Sequence, residues 1–354
     1  MKARFDDVRI AGVLGVAPAR TSRFDDELGN YSQPAANSRK LKVAMGYGEH
    51  RVAAAGVTTS DLACFGLQRL VDEGRLDPAG VDAIFFVSQT PDYPIPATSA
   101  IIHGRFGFPQ ETYCVDINDG CCGYIKGLYE AAAFLATTGA ARALLVAGDV
   151  LSAKVSPHDR NSYPLVGDAA TITVLERRPG AGRLDIEIRN DGRGWDKLMV
   201  PAGGARQPCT PATAVLAMDE DGNSRSPEHL VMQGRDVFAF TQTVVPEFIL
   251  DFLGRRALAP ADMDLLALHQ ANAFILDRLR AKLGVGKDRL PDEVIRRYGN
   301  SSSGTIPMTI AAAGKDGAHA GIVRTLACGF GVGLSWGAAL FELKDLDFCT
   351  LIEF

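Results

Sequence analysis

The chain has 354 residues, 47% of them hydrophobic, with 37 Lys and Arg against 42 Asp and Glu for a net charge of −5. At roughly 100–200 residues per domain, this length predicts two domains or one large fused body, and the composition excludes a disordered, collagen-like or fibrous chain. The charge balance offers no global attraction to nucleic acid or to an anionic membrane, and no apolar run approaches the roughly 18–20 residues of a membrane span. Neither partner is expected. Asp6 and Asp7 precede the short apolar stretch at the N-terminus, unlike a secretory signal. Seven cysteines is an odd, sparse count, with no Cys-x-x-Cys pair. It argues against a disulfide framework and against a bound metal. Reduced thiols in the cytoplasm are expected, one of which can be a nucleophile.

In chain order, residues 58–74 read as a helix and 81–90 and 111–118 as buried strands, being short apolar runs rich in β-branched residues. A helix over 122–139 ends at Gly139, followed by strands at 141–150, 168–177 and 184–192. From about Trp195 to Arg225 the pattern breaks into turn residues with little periodicity, which predicts a long surface excursion. A helix over 237–254, a strand over 263–269 and a helix over 271–284 follow. The chain closes with a helix after Ile306 and strands at 322–330 and 334–344. Such alternation predicts sheets with helices on their faces.

The chain also resembles itself. Leu76-Asp77-Pro78-Ala79-Gly80-Val81-Asp82 and Leu258-Ala259-Pro260-Ala261-Asp262-Met263-Asp264 share one pattern at an offset of 182 residues, and each leads into a strand. Cys121-Cys122-Gly123-Tyr124-Ile125 falls near the place of Ser302-Ser303-Gly304-Thr305-Ile306, and Ala131–Ala133 matches Ala311–Ala313 at an offset of 180. Three matches in order imply an internal duplication. The halves, 1–180 and 181–354, meet in the turn-rich segment near 175–185.

Three spots carry chemistry. Asp119-Gly120-Cys121-Cys122-Gly123 lies between a strand and a helix, where the helix dipole is expected to lower a thiol's pKa. The bland alternative for a lone cysteine is a small buried hydrophobe. His269, in Leu268-His269-Gln270-Ala271-Asn272, ends an apolar strand; alone it would read as a hydrogen-bonded structural residue. Asn300, in Tyr298-Gly299-Asn300-Ser301-Ser302-Ser303-Gly304, sits in a turn whose serines read as helix caps. The duplication sets this turn opposite the Cys121 turn, and a pseudo-two-fold axis would bring the strand ends bearing Cys121, His269 and Asn300 together. A thiolate with two hydrogen-bond donors suits acyl-thioester chemistry. Gly329-Phe330-Gly331-Val332-Gly333 fails the dinucleotide fingerprint, because Leu334 stands at the third small position and a strand follows, not a helix. It reads instead as a tight turn that lets backbone N–H groups reach a ligand, as in an oxyanion hole.

In this order, the Cys-x-Gly-aromatic turn, His-Gln-Ala-Asn, Gly-Asn-x-Ser and late Gly-x-Gly-x-Gly-x-x-Trp-Gly resemble the thiolase-fold condensing enzymes, most of all β-ketoacyl-acyl-carrier-protein synthase III. Pro96–Ser99 and Gly167–Ala170 also look like family segments. The resemblance implies a thiolase-like α/β fold of two duplicated βαβαβαββ halves layered αβαβα. It implies Cys121 as the nucleophile, His269 and Asn300 as catalytic donors, and the backbone N–H groups of Cys121 and Val332 as the oxyanion hole. Substrates would be an acyl-CoA primer and malonyl-acyl carrier protein, with no resident cofactor. Cys121 would hold the acyl group, and the malonyl thioester would lose carbon dioxide to an enolate that attacks it.

Arg160 matches a family arginine on the coenzyme side, Arg235 stands where a pantetheine-contacting asparagine is common, and Gly331 and Gly333 belong to the ligand-facing turn. Several positions depart from the pattern. Ala44 replaces an adenine-gripping arginine, leaving Lys40, with Arg39 and Lys42, to supply the charge. Gly46-Tyr47-Gly48-Glu49-His50-Arg51 stands for a Gly-Ile-x-Glu-Arg-Arg segment, and Asp119-Gly120 for small apolar residues. A homodimer is implied, with a partner loop near Tyr93–Ile95 closing the acyl pocket. Two other readings remain: acyl transfer from Cys121 to an alcohol or amine, and a non-catalytic subunit of a heterodimer.

Overall fold

The computed structural model describes residues 1–314 and 323–354; Ile322, at the start of one expected strand, lies outside them. The chain opens with strands β1 (Lys2–Asp6), β2 (Val8–Ala17) and β3 (Thr21–Arg23), helices α1 (Phe24–Glu27) and α2 (Ala35–Met45), and β4 (Glu49–Arg51). The first half continues through α3 (Thr59–Asp72), β5 (Ala83–Val87), α4 (Thr98–Phe106), β6 (Tyr113–Ile117), α5 (Gly123–Thr138), β7 (Arg142–Asp149) and β8 (Ala169–Arg177). Local signals explain these ends. Thr58 and Asp61 form a capping box at the start of α3, and Gly139 closes α5 at φ 79°.

The second half begins with β9 (Arg183–Asn190). Next come the short strands β10 (Leu198–Met199), β11 (Ala217–Met218), β12 (Ser224–Arg225) and β13 (Val231–Met232). It continues with α6 (Gly234–Gly254), β14 (Leu265–Leu268), α7 (Ala273–Leu283), α8 (Glu293–Arg297) and α9 (Thr305–Ala313), then β15 (Val323–Gly331), β16 (Ser335–Leu343) and β17 (Phe348–Glu353).

The strands form two main sheets, ordered β17-β2-β8-β7-β5-β6 and β1-β9-β16-β15-β14. Ile125 and Leu128 of α5 and Ile306 and Ile310 of α9 share one core with Val87 and Ala147 of the first sheet and Ala327 and Ala339 of the second. Those two helices are therefore the filling between the sheets. Leu62 and Leu67 of α3 and Ile102 of α4 pack on the outer face of the first sheet, and Val245, Phe248 and Leu276 of α6 and α7 on that of the second. This is the expected five-layer αβαβα arrangement of the thiolase fold.

The division at residue 180 falls in the turn between β8 and β9, but it does not separate the sheets. β1 pairs with β9 in the second sheet, and β17 pairs with β2 in the first, so each sheet takes a strand from the far end of the chain. Nor does Asn300 end a strand as expected. Where β6 stands in the first half, the second has only an isolated bridge between Asn300 and Val166. Gly299 turns the stretch between α8 and α9 at φ 82°, and a short 3₁₀ turn at Ser302–Gly304 follows. α6 corrects the reading of apolar runs. Its 21 residues have the length and hydropathy, 1.3, of a spanning helix. Phe248, Ile249, Phe252 and Leu253 bury one face against β14 and β15, and Pro246 interrupts it.

The halves meet closely at Gly167, where a β-carbon would lie 1.8 Å from the Tyr298 carbonyl oxygen. Gly167→Ala should therefore destabilise the fold by at least about 2 kcal/mol in chemical denaturation, because backbone cannot yield as a side chain does. An unchanged unfolding midpoint would refute this close fit.

Candidate active site

Cys121 precedes α5, 8% exposed, and lines a small cavity of about 60 Å³ with Asn300, Val332, Gln89 and Ser302. Gly331 lies directly behind it: a β-carbon there would sit 2.8 Å from both Cβ and Sγ of Cys121. This glycine is needed for close approach, and it brings the Val332 N–H to the sulfur. The backbone N–H groups of Val332 and of Cys121 itself favour the ionised form of the sulfur. The expected fall in thiol pKa does not follow, however. Burial dominates, with Asp119 and Asp149 adding to it, and the thiol is pushed up to about 12. Cys122 is wholly buried in the core between the sheets and does not reach the cavity.

His269 follows β14, with its N–H on the Cys328 carbonyl. It is 2% exposed and packs edge-on against Phe330, with ring centroids 5.5 Å apart. Its Nδ1 lies 2.7 Å from the Thr305 hydroxyl, which leaves Nε2 as the free nitrogen. Burial lowers its pKa to about 3, so the ring is neutral near pH 7. His269 does not line the Cys121 cavity; its contacts Phe330 and Thr305 lie in the segments that carry the cavity-lining Val332 and Ser302.

Asn300 Oδ1 accepts the Ser302 N–H at 2.9 Å. A backbone donor requires an oxygen there, so the amide nitrogen is the group left to donate. Cys121, Asn300 and Val332 thus share one cavity, Gly331 packs against the Cys121 side chain, and His269 is buried outside that lining. The other positions lie apart. Gly333 lines a neighbouring cleft with Asp119, Gly120 and Lys126. Lys40 on α2 and Arg235 at the start of α6 are exposed and touch nothing in the cavity. Arg160 is half-buried, its Nε without a protein partner, two residues from the cavity-lining Ser162.

Several contributors were invisible in the sequence. Leu198, Leu230 and Met232 line the cavity; Leu198 lies in the segment read as a surface excursion, so that segment contributes to the site, and the other two follow it. Asp159, fully buried, bonds Arg225 at 2.9 Å and ties that segment down. Gln89 accepts from Ser302 at 3.2 Å and lies on Gly120, where a β-carbon would meet its Oε1 at 2.5 Å. That contact explains the departure at Gly120: the glycine leaves room for the Gln89 amide. Asp119 pairs with Lys126 one turn along α5.

A thiol against backbone N–H groups, a neutral histidine and a donating asparagine, set on duplicated halves, define a condensing-enzyme site on a thiolase fold. Residues 115–192 match the family described as 3-oxoacyl-[acyl-carrier-protein (ACP)] synthase III, and 253–343 match its C-terminal counterpart. A β-ketoacyl-[acyl-carrier-protein] synthase III of Rhodopirellula baltica is 30% identical, covering 95% of this chain and 98% of its own. One from Streptomyces coelicolor is 32% identical over 87% of this chain and 89% of its own. The crystal structure of a 3-oxoacyl-(acyl-carrier protein) synthase from Burkholderia xenovorans LB400 superposes with a TM-score of 0.91 at 33% identity, covering 100% of this chain and 99% of that one. The chain belongs to the β-ketoacyl-acyl-carrier-protein synthase III family of acyltransferases.

Because the Cys121 pKa is raised, the thiolate fraction should climb about tenfold per pH unit from pH 7 to 10. Alkylation of Cys121 by iodoacetamide, followed by peptide mass spectrometry, should rise over that range without levelling. A plateau below pH 8 would mean that the helix dipole outweighs burial.

Proposed function

We propose that this chain joins an acyl primer from acyl-CoA to a malonyl unit on acyl carrier protein by decarboxylative Claisen condensation. One observation carries the reading: a nucleophile and a donating amide share one cavity, beside a buried neutral imidazole. The Cys121 sulfur attacks the primer's thioester carbonyl and loses its proton. The N–H groups of Cys121 and Val332 hold the oxyanion, and collapse expels CoA thiol to leave an acyl-cysteine. The malonyl thioester then enters. Asn300 Nδ2 and His269 Nε2 donate to its carbonyl oxygen; for this the Thr305 hydroxyl, which donates to the Ser302 carbonyl at 2.9 Å, turns to Nδ1 and the ring proton sits on Nε2. Carbon dioxide leaves, its bonding pair forms the enolate, and the enolate carbon attacks the acyl-cysteine carbonyl. Collapse returns the sulfur to Cys121 and releases the β-ketoacyl product. A neutral donor suits an enolate, because it stabilises developing charge without having to give up its proton.

No resident cofactor or metal is required, since the thioester and the departing carbon dioxide supply the driving force. Arg160, Arg235 and Lys40 would meet the phosphates and pantetheine of the coenzyme or carrier, and Gly331 and Gly333 would admit the thioester along the glycine turn. The location proposed is the cytoplasm, where both thioesters occur. A homodimer fits the edge strand β6, whose Tyr113 is half exposed and stacks on Phe134. Tyr93 and Ile95, 59% and 85% exposed, would then be covered by the second copy.

Incubation with acyl-CoA should load Cys121, read by intact-protein mass spectrometry. Cys121→Ala should abolish loading and Cys122→Ala should not; label retained in the first would identify another thiol. His269→Ala should still load but lose at least about 100-fold in carbon dioxide release from the malonyl donor. No carbon dioxide with any primer in the native chain would favour simple acyl transfer to an alcohol or amine. Val115→Arg on β6 should give a monomer in analytical ultracentrifugation; an unchanged mass would place the interface elsewhere.

A further inference from the structure

Outside the reacting groups, one carboxylate–imidazole pair is buried among the described residues. Glu27 and His50 are 4% and 1% exposed. His50 Nε2 lies 2.6 Å from Glu27 Oε1, and its Nδ1 lies 2.5 Å from the Val166 carbonyl oxygen. Glu27 also accepts from the Ser22 hydroxyl at 2.5 Å and from Tyr31 at 3.0 Å. Burial works to raise the Glu27 pKa, but the bonds from His50, Ser22 and Tyr31 outweigh it and the carboxyl stays below its ordinary range. The Val166 carbonyl can only accept, so Nδ1 donates to it, and Nε2 is left to pair with the Glu27 carboxyl.

The second of these bonds falls at a critical place. Asn300 gives its backbone N–H to Leu165 at 2.8 Å and takes the Gly167 N–H on its carbonyl at 3.1 Å. Val166 lies between those two residues, and its carbonyl is the one His50 holds. The same β4 strand continues the clasp: the Arg51 N–H reaches Tyr298, and the Arg51 carbonyl accepts from Asp168. Tyr163, edge-on to the imidazole at 5.4 Å, closes its remaining face. Glu27 thus anchors His50, His50 pins Val166, and the Val166 segment carries Asn300. The buried polar groups leave no slack, because moving the ring breaks a charge-assisted bond at one end or a carbonyl bond at the other.

We propose that His50, anchored by Glu27, is a positioning residue that sets Asn300 for the malonyl half-reaction and plays no part in loading Cys121. This rests on the assignment of Asn300 as an enolate donor. It also gives a role to the histidine at a position where the resemblance leads one to expect arginine.

The test compares two rates in each folded variant. One is loading of Cys121 from acyl-CoA, by mass spectrometry; the other is carbon dioxide release from the malonyl donor. His50→Gln should load Cys121 within about threefold of the native chain while kcat for carbon dioxide release falls roughly 10- to 100-fold, the cost of misplacing a catalytic group by about an ångström. Equal losses in both steps, or an unchanged release of carbon dioxide, would overturn the proposal. If His50→Gln does not fold, Glu27→Gln leaves the imidazole in place but loosens its anchor, and it is read against the same two rates. Asn300→Ala is the control. If it retains carbon dioxide release, the assignment of Asn300 fails; if it loses release and the His50 and Glu27 variants do not, only the present inference fails.

Discussion

Backbone from one half of the molecule lies directly against backbone from the other, and the site depends on this contact. Gly167 meets the Tyr298 carbonyl with no space for a β-carbon, Gly329 meets the Cys121 carbonyl in the same way, and Gly331 lies against the Cys121 side chain. At ordinary side-chain separation the Val332 N–H would not reach the sulfur, nor would Asn300 bridge to Val166. Glycine makes the approach possible because it has no Cβ. Packing of α5 and α9 between the sheets then holds the two halves at that distance, since a close-packed interior resists small shifts.

That contact also explains the electrostatics. Once the halves close, Cys121 and His269 are out of water, and both shift toward their neutral forms. For the histidine this suits the proposed role, since a neutral imidazole donates a hydrogen bond without acidifying the enolate. For the cysteine it opposes nucleophilicity. The two backbone N–H groups and the start of α5 offset this only in part. The reactive thiolate is therefore costly in the resting protein, and the same donors serve the oxyanion once the substrate carbonyl is present.

The exchange of terminal strands ties the halves together in a second way. β1 completes the second sheet and β17 the first, so neither half has a full sheet without the other's chain end. The buried Glu27–His50 pair adds a polar tie between the N-terminal segment and the Val166–Asn300 bridge.

Much of this was legible in the sequence, because it depends on local pattern. The alternation of apolar runs marked β5, β7, β8, β15 and β16, and the repeated Leu-x-Pro-Ala segments marked the duplication. The turns bearing Cys121, His269 and Asn300 stood out by residue type and by their place beside helices and strands. What the sequence could not reveal depends on distance between segments remote in the chain. Leu198 reads as a loop residue, and Leu230 and Met232 fall in no expected element, because their place at the cavity does not follow from a local pattern. Gln89 carries no motif and His50 departs from one, and each matters because the fold sets it within hydrogen-bond reach of a segment more than a hundred residues away. The thiol's pKa was misjudged for the same reason: a helix start is visible in the sequence, but the depth of burial is not. Residue chemistry and element order were determined locally by the sequence, whereas the convergence and desolvation of the site were decided by tertiary packing.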